Sequence, residues 1–137
     1  MNATDLRQID QTILDRIRST VGDAGVITDE NDKAPFLRDE RGYYTGTTPM
    51  IVRPATTEEV ASVVSICNET RTPIVPQGGN SGMSGGATPD TSGTALLLSL
   101  RRMDTIRALD TDAREIVCDA GVVLQTLHET AEKKRLR

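Results

Sequence analysis

The glycine-rich stretch of residues 74–90 (IVPQGGNSGMSGGATPD) contains the residue types that could do chemistry. It holds five glycines and no lysine or arginine. Residues without a Cβ let main-chain N–H groups approach an anion closely. Ser81 and Ser84 add hydroxyl donors, and Gln77 and Asn80 add side-chain amides. Such donors could share the two charges of a diphosphate through charge-assisted hydrogen bonds of about 1.5–3 kcal/mol each.

The spacing of these glycines excludes the two most familiar nucleotide-binding motifs. The dinucleotide fingerprint needs glycine at positions i, i+2 and i+5, which no register of the loop provides. A P-loop ends in Gly-Lys-Ser/Thr, whereas this loop ends in Gly-Gly-Ala. A glycine-rich surface turn without a ligand is the alternative that composition leaves open. The glycines are Gly78, Gly79, Gly82, Gly85 and Gly86.

The chain before the loop is predicted to contain a helix, a connector and a strand. Residues 4–20 show helical periodicity, and Gly22 and Gly25 mark the end of that helix. Residues 25–49 form a polar connector, irregular apart from a short helix near 30–37. Residues 50–53 form a short strand that ends at a proline. The apolar face of the first helix consists of Leu6, Ile9, Ile13, Leu14 and Ile17.

A second helix separates that strand from the glycine loop. Thr56 and Glu59 form a capping box, which predicts the start of the helix. Pro73 cannot continue it. Ile74 and Val75 then form a strand that leads directly into the loop. The buried face of the helix is predicted to consist of Val60, Val63, Val64 and Cys67.

Beyond the loop, residues 95–100 read as a strand, and residues 106–109 and 115–119 as two strands joined by a turn at 110–114. Residues 122–134 are predicted to be helical. The order of elements is typical of an α+β or α/β layer architecture with at least one β-α-β unit, and we predict an α+β fold, a small sheet with flanking helices. The last helix has one apolar face, made of Leu124, Leu127 and Ala131.

Composition narrows the classes of partner. The 137 residues carry a net charge of −4 and no basic block, which excludes nucleic acid and anionic membranes as main partners. No apolar run is long enough for a transmembrane helix, and the polar N-terminus lacks a signal peptide. Cys67 and Cys118 lie in apolar patterns without a CxxC motif, so we expect buried free thiols, no metal site and a cytoplasmic location. His128 is expected to face solvent on the last helix.

Residues 51–87 resemble the N-terminal FAD-binding domain of the vanillyl-alcohol oxidase/p-cresol methylhydroxylase superfamily. Within it they are most similar to the FAD-linked dehydrogenases of D-2-hydroxy acids, which include D-lactate dehydrogenase, the glycolate oxidase flavoprotein subunit and D-2-hydroxyglutarate dehydrogenase. The resemblance continues through residues 115–136. It implies that the fold is the first part of a p-cresol methylhydroxylase-type FAD-binding domain.

The resemblance also implies the cofactor and its site. The loop is expected to wrap the FAD diphosphate through main-chain amides. Some members of the superfamily bind flavin covalently through a histidine in this loop, where this sequence has Asn80, so FAD is expected to be non-covalent. The implied cofactor-binding residues are Pro76, Gln77, Gly78, Gly79, Asn80, Ser81, Gly82, Gly85 and Gly86.

Members of the superfamily continue well beyond the length of this chain. We therefore expect residues 1–45 to be an N-terminal helix and connector, and residues 46–137 to be a FAD-binding domain that is incomplete at its C-terminus. Catalytic residues and metal ligands are expected outside the chain, so the chain alone should be inactive in oxidising a hydroxy acid. Exposed apolar surface could drive self-association. The alternatives are a stand-alone, non-catalytic dinucleotide-binding module and an interaction domain that has lost its ligand.

Overall fold

The computed structural model describes residues 8–136, which form four α-helices and six strands. In chain order these are α1 (Gln11–Val21), β1 (Val26–Ile27), α2 (Glu30–Lys33), β2 (Ile51–Val52), α3 (Thr57–Thr70), β3 (Ile74–Gln77), β4 (Leu96–Ser99), β5 (Ile106–Asp110), β6 (Glu115–Cys118) and α4 (Leu124–Lys133).

The main sheet has four strands in the order β1-β2-β4-β3. Strands β2, β4 and β3 are parallel, and β1 pairs antiparallel with β2 at one edge. The unit β2-α3-β3 is the predicted β-α-β crossover, with β4 inserted between its two strands. The α+β prediction is confirmed. Because β3 and β4 are parallel neighbours, the glycine loop after β3 starts at the same sheet edge as the residues after β4.

The central strands β2 and β4 are buried on both faces, which explains the continuous apolar run of β4. Leu96 and Leu98 pack on one side against residues of α1 and α3 such as Ile17. Leu97 packs on the other side with Leu37 of the connector. The connector therefore covers the sheet face opposite the helices.

Helix α3 begins and ends at the predicted signals. The Thr56 hydroxyl accepts from the Glu59 N–H at 3.1 Å, a cap of typically about 1 kcal/mol. The Glu59 carboxylate accepts in return from the N–H of Ala55 at 2.7 Å. In a standard capping box the donor would be the N–H of the N-cap residue itself, here Thr56. At the other end Arg71 adopts a left-handed φ of 54°, which ends the helix. The orientation of β3 after α3 is thus set by local sequence.

The buried face of α3 differs from the prediction at two positions, of which Val60 is half-buried rather than buried. Val64 was predicted to be buried, but its side chain is 44% exposed. The core-facing residues are Val63, Ile66 and Cys67. The apolar stripe therefore runs through Ile66, because α3 packs against α1 and the sheet on that side.

Helix α1 is shorter than the predicted span 4–20, of which residues 4–7 lie outside the described part of the chain. It begins after Asp10, whose carboxylate accepts from the N–H of Thr12 at 2.8 Å. This hydrogen bonding lowers the pKa of Asp10. Ile9 therefore precedes the helix. Gly22, with φ at 72°, ends it as predicted.

The connector is more regular than predicted. Its short helix is confirmed as α2 and a following 3-10 turn, Ala34–Phe36. However, residues 26–27 form β1, a strand that the sequence analysis missed. Two residues are too few to show an alternating pattern, and β1 is fixed by pairing Val26 with Val52.

Residues 106–133 form a hairpin and a helix outside the main sheet. Strands β5 and β6 pair antiparallel around the predicted turn. Helix α4 contains no buried residue, and Leu124 is 63% exposed. The predicted apolar face is therefore not a core face within the described residues, and Leu127 and Ala131 are half-buried.

Candidate functional site: the glycine loop

The glycine loop (residues 78–86) leaves the sheet directly at the carboxyl end of β3. Two residues predicted as part of it, Pro76 and Gln77, instead belong to the strand. The strand residue Gln77 accepts a main-chain hydrogen bond from the N–H of Leu100, at the end of β4, at 2.9 Å. The root of the loop is therefore fixed to the sheet.

The side chain of Gln77 closes the loop from inside the protein. It is only 1% exposed. Its Nε2 donates at 2.8 Å to the main-chain carbonyl of Phe36 and at 2.8 Å to that of Ala87. Hence Gln77 joins the start of the loop to its end and to the connector, and its amide N–H groups are not free to meet an anion.

Asn80 holds the middle of the loop in a similar way. Its backbone is left-handed, with φ at 58°, a conformation that asparagine tolerates better than most residues. Its Nδ2 donates to the main-chain carbonyl of Arg38 at 2.8 Å. The side chain therefore points to the connector, while the loop curves around it.

These contacts belong to a longer arrangement in which a companion segment, residues 36–47 of the connector, runs beside the loop in the same direction. The sequence analysis did not predict this segment as part of the site. The neighbouring pairs, in order along both segments, are Phe36 with Gln77, Arg38 with Asn80, Arg41 with Met83, Tyr44 with Gly85, and Thr47 with Asp90.

The loop glycines fall into two kinds. Gly85 is required by the fold, since its φ is 71° and a Cβ there would lie 2.8 Å from the ring of Tyr44. The other four have no left-handed φ, and a Cβ at any of them would meet no heavy atom closer than 3.9 Å. Their missing side chains leave open space along the backbone, as a ligand that approaches the main chain would require. These four are Gly78, Gly79, Gly82 and Gly86.

The main-chain N–H groups of the loop are also free. Within residues 8–136, none of those from Gly78 to Gly86 donates to a main-chain acceptor. Ser81 and Ser84 are exposed and can add hydroxyl donors. The loop thus offers a row of donors with open access, which fits a diphosphate.

Positive charge reaches the loop from the neighbouring strand. Arg101 follows β4, and its guanidinium carbon lies 5.0 Å from the ring centroid of Phe36. One terminal nitrogen of Arg101 is 3.5 Å from the carbonyl oxygen of Gly79. The loop sequence contains no cation, and Arg101 was not predicted to belong to the site. The carboxyl ends of the parallel strands β3 and β4 bring Gly78 and Arg101 to one edge of the sheet, but spacing along the chain does not reveal that these two strands are neighbours.

Other predicted chemistry lies away from the loop. His128 is exposed on α4, as predicted. Cys67 is buried, and burial raises the pKa of its thiol to about 11. Cys118 was predicted to be buried but is half-buried, because it ends the hairpin strand β6 rather than a core strand. No helix among residues 8–136 is long and apolar enough to cross a membrane.

Comparison with protein families assigns residues 48–137 to a FAD binding domain. This match covers well over half of the chain. The chain belongs to the FAD-binding domain family. The predicted cofactor, FAD, is thereby confirmed, and the matched region of this FAD-binding domain contains the whole glycine loop.

Relatives of the FAD-binding domain are much longer proteins. This chain is 37% identical over 117 residues to the probable mitochondrial D-2-hydroxyglutarate dehydrogenase of Oryza sativa subsp. indica. The match covers 85% of this chain and 21% of the relative. The chain is 35% identical over 112 residues to the D-lactate dehydrogenase of Anaerostipes hadrus, covering 81% and 23%. The chain therefore spans about a fifth to a quarter of the length of these relatives.

Solved structures agree with the predicted fold. p-Cresol methylhydroxylase with bound substrate aligns with a TM-score of 0.75 at 25% identity, over 93% of this chain and 26% of that one. An alkyldihydroxyacetonephosphate synthase aligns with a TM-score of 0.81 at 18% identity, over 95% and 26%. The resemblance to the vanillyl-alcohol oxidase/p-cresol methylhydroxylase fold is confirmed.

Proposed function

We propose that this FAD-binding domain is the diphosphate-binding part of a flavin-dependent oxidoreductase that oxidises a D-2-hydroxy acid, such as D-lactate, glycolate or D-2-hydroxyglutarate. The observation that carries the proposal is the row of unpartnered N–H groups beside glycines with open Cβ positions. The names of the relatives, D-2-hydroxyglutarate dehydrogenase and D-lactate dehydrogenase, support the substrate class.

The proposed residues act by binding and positioning. Main-chain N–H groups of the loop donate to the diphosphate, and the exposed Ser81 hydroxyl adds a donor. Pro76 and Gln77, at the end of β3, and Asn80 hold the loop in place. Bound FAD supplies the redox chemistry, namely acceptance of two electrons from the substrate. The remaining proposed cofactor-binding residues are Gly78, Gly79, Gly82, Gly85 and Gly86.

We expect FAD to bind non-covalently, because Asn80 stands where covalent members of the superfamily have a histidine. Asn80 offers an amide, which is not a nucleophile, and its Nδ2 already donates to Arg38. His128 lies on α4, outside the loop. Denaturation and acid precipitation of the FAD-loaded protein should release all yellow colour into the supernatant. Colour retained in the pellet would contradict non-covalent binding.

Titration of FAD with the chain tests the binding proposal directly. We expect the flavin fluorescence to be quenched with a saturable dependence on protein concentration. Gly82→Val should weaken quenching, since its side chain would occupy the open space beside the loop. Absence of quenching at high micromolar protein would contradict FAD binding by this chain and leave the interaction-domain alternative.

A stand-alone, non-catalytic dinucleotide-binding module is the second candidate. It would need only the unpartnered main-chain N–H groups of the glycine loop, which this chain contains by itself. The genomic sequence after the codon for Arg137 separates the two. An in-frame continuation with a large further domain supports the oxidoreductase, and a stop codon supports the module.

The proposal also covers the domain boundary, the cellular location and self-association. The cofactor-binding unit starts near residue 46, although α1, which precedes it, packs against α3 in the same core.

The protein acts in the cytoplasm, and cell fractionation that places it in an organelle would contradict this. Exposed Val123 and Leu124 promote self-association. Size-exclusion chromatography with light scattering would contradict self-association if it gave a clean monomer.

A further inference from the structure

Three arginines converge on an open cavity between the companion segment and the glycine loop. Its volume is about 620 Å³, and residues of the two segments line it together with Arg101. We call it the arginine cavity. The lining side chains that matter here are Arg38, Arg41, Arg101, Asp39, Glu40 and Asn80.

Each arginine is held in place by a contact that leaves most of its donors free. The Arg101 guanidinium stacks over Phe36, and a terminal nitrogen of Arg41 lies 3.0 Å from the sulfur of Met83. The Arg38 guanidinium packs over the backbone of Gly42. A guanidinium carries five N–H donors, so unused donors remain on all three.

The acidic residues of the cavity do not neutralise these cations. The carboxylate of Asp39 is buried and accepts from the main-chain N–H groups of Tyr44 at 2.7 Å and Arg41 at 3.3 Å. Within residues 8–136, neither Asp39 nor Glu40 forms an ion pair with an arginine. Within the described residues, no carboxylate is therefore paired with any of the three guanidinium groups.

We propose that the arginine cavity binds an oxyanion of the phosphate or carboxylate class. Guanidinium groups bind the paired oxygens of such anions in a bidentate manner. The volume lies in the usual range of about 300–1,000 Å³ for ligand sites, so the anion can carry an attached group. The oxyanion belongs either to the diphosphate of FAD or to a separate molecule. The proposal does not depend on FAD binding.

Titration with inorganic phosphate at constant ionic strength, followed by ³¹P NMR, tests the site on the full chain. We expect saturable binding, and about tenfold weaker binding for Arg101→Gln and for Arg38→Gln, since each removes charge-assisted hydrogen bonds. Arg101→Lys keeps the charge and should bind more tightly than Arg101→Gln. Glu40→Gln removes a repelling carboxylate and should strengthen binding.

The matched control is Arg16→Gln, which removes the same charge from α1, where Arg16 pairs with Glu69 at 2.8 Å. It should leave phosphate affinity unchanged. Non-saturable binding by the wild-type chain, or an equal loss in Arg16→Gln, would overturn the proposal. Circular dichroism establishes that each variant is folded, and Arg38→Gln replaces Arg101→Gln if the latter is not.

Adding FAD identifies the source of the oxyanion. If saturating FAD displaces phosphate from the wild-type chain, the diphosphate of the cofactor reaches the arginine cavity. If FAD and phosphate bind together, the cavity accepts a separate anion. Both results support oxyanion binding there, and phosphate binding without any FAD binding would separate this site from the proposed cofactor function.

Discussion

Asn80 donates its side-chain amide to the main-chain carbonyl of Arg38 at 2.8 Å, with its own backbone in the left-handed region. The contact joins the middle of the glycine loop to the companion segment. Gln77 makes the corresponding contact at the root of the loop, with the carbonyl of Phe36. The shape of the loop is thus set by a segment more than thirty residues earlier in the chain.

Substitution of Asn80 should separate the effect of its hydrogen bond from that of its backbone conformation. Asn80→Gly loses the bond to Arg38, at a cost of about 1 kcal/mol. Asn80→Ala should cost roughly 1–2 kcal/mol more, because alanine is strained at a φ of 58°. Urea unfolding measures both. Equal stability of the two variants would show that the left-handed conformation is not maintained.

Removal of the Gln77 amide should destabilise the loop at both ends. Gln77→Met keeps the size of the side chain but leaves the carbonyls of Phe36 and Ala87 without their donor, which should cost about 2–3 kcal/mol. The control is Gln125→Met on α4, where the amide is exposed and bonds only Glu129. It should change stability by less than about 0.5 kcal/mol. Similar losses in the two variants would contradict the closing role of Gln77.

Two loop glycines should respond in opposite ways to an added side chain. Gly82→Ala should leave stability within about 0.5 kcal/mol, since a Cβ there meets nothing within 4 Å. Gly82→Val should weaken FAD binding further than Gly82→Ala does. Gly85→Ala should instead lose about 1–2 kcal/mol of stability, because its φ is 71°. Thermal unfolding and FAD titration of each variant measure the difference between the two positions. A loss of stability in Gly82→Ala as large as that in Gly85→Ala would refute it.

The buried thiol of Cys67 should make stability fall at alkaline pH. Burial raises its pKa from 9.0 to about 11, so the folded state retains the proton while the unfolded state releases it. Stability is therefore complete below pH 9.0 and declines as pH rises towards about 11. Urea unfolding across this interval should show a shallower decline for Cys67→Ala than for the wild type.

Thiol labelling provides an independent check of the same burial. At a pH below 9.0 a disulfide-exchange reagent should modify the half-buried Cys118 first, and Cys67 only as the protein unfolds. The variant Cys118→Ser isolates the slow reaction. Rapid labelling of Cys67 in that variant would contradict its position in the core.

Local signals predicted the elements that carry the loop. The capping box of Thr56 and Glu59, the proline after α3 and the apolar run of β4 each act through neighbours in sequence, so the β-α-β unit could be recognised. The spacing of the loop glycines excluded familiar motifs, and the resemblance then identified the cofactor. The signals for the β-α-β unit and the spacing of the loop glycines each involve residues that are close together in the sequence.

The features that could not be predicted depend on packing between residues that are far apart in the sequence. Val64 and Ile66 are both apolar and helical, and only the position of α1 determines which one is buried. Gln77 was read as a donor to an anion, but the carbonyls of Phe36 and Ala87 occupy its N–H groups. Arg101 reaches the loop through the order of strands in the sheet, which sequence spacing does not reveal.

We propose above all that main-chain N–H groups of the glycine loop bind the diphosphate of FAD. Amide chemical shifts of the ¹⁵N-labelled chain during FAD titration test it most directly. We expect saturable shifts at Gly78, Gly79, Gly82 and Gly86, with α1 amides unchanged. Saturable shifts confined to the β5–β6 hairpin or α4, with the loop amides unmoved, would contradict it.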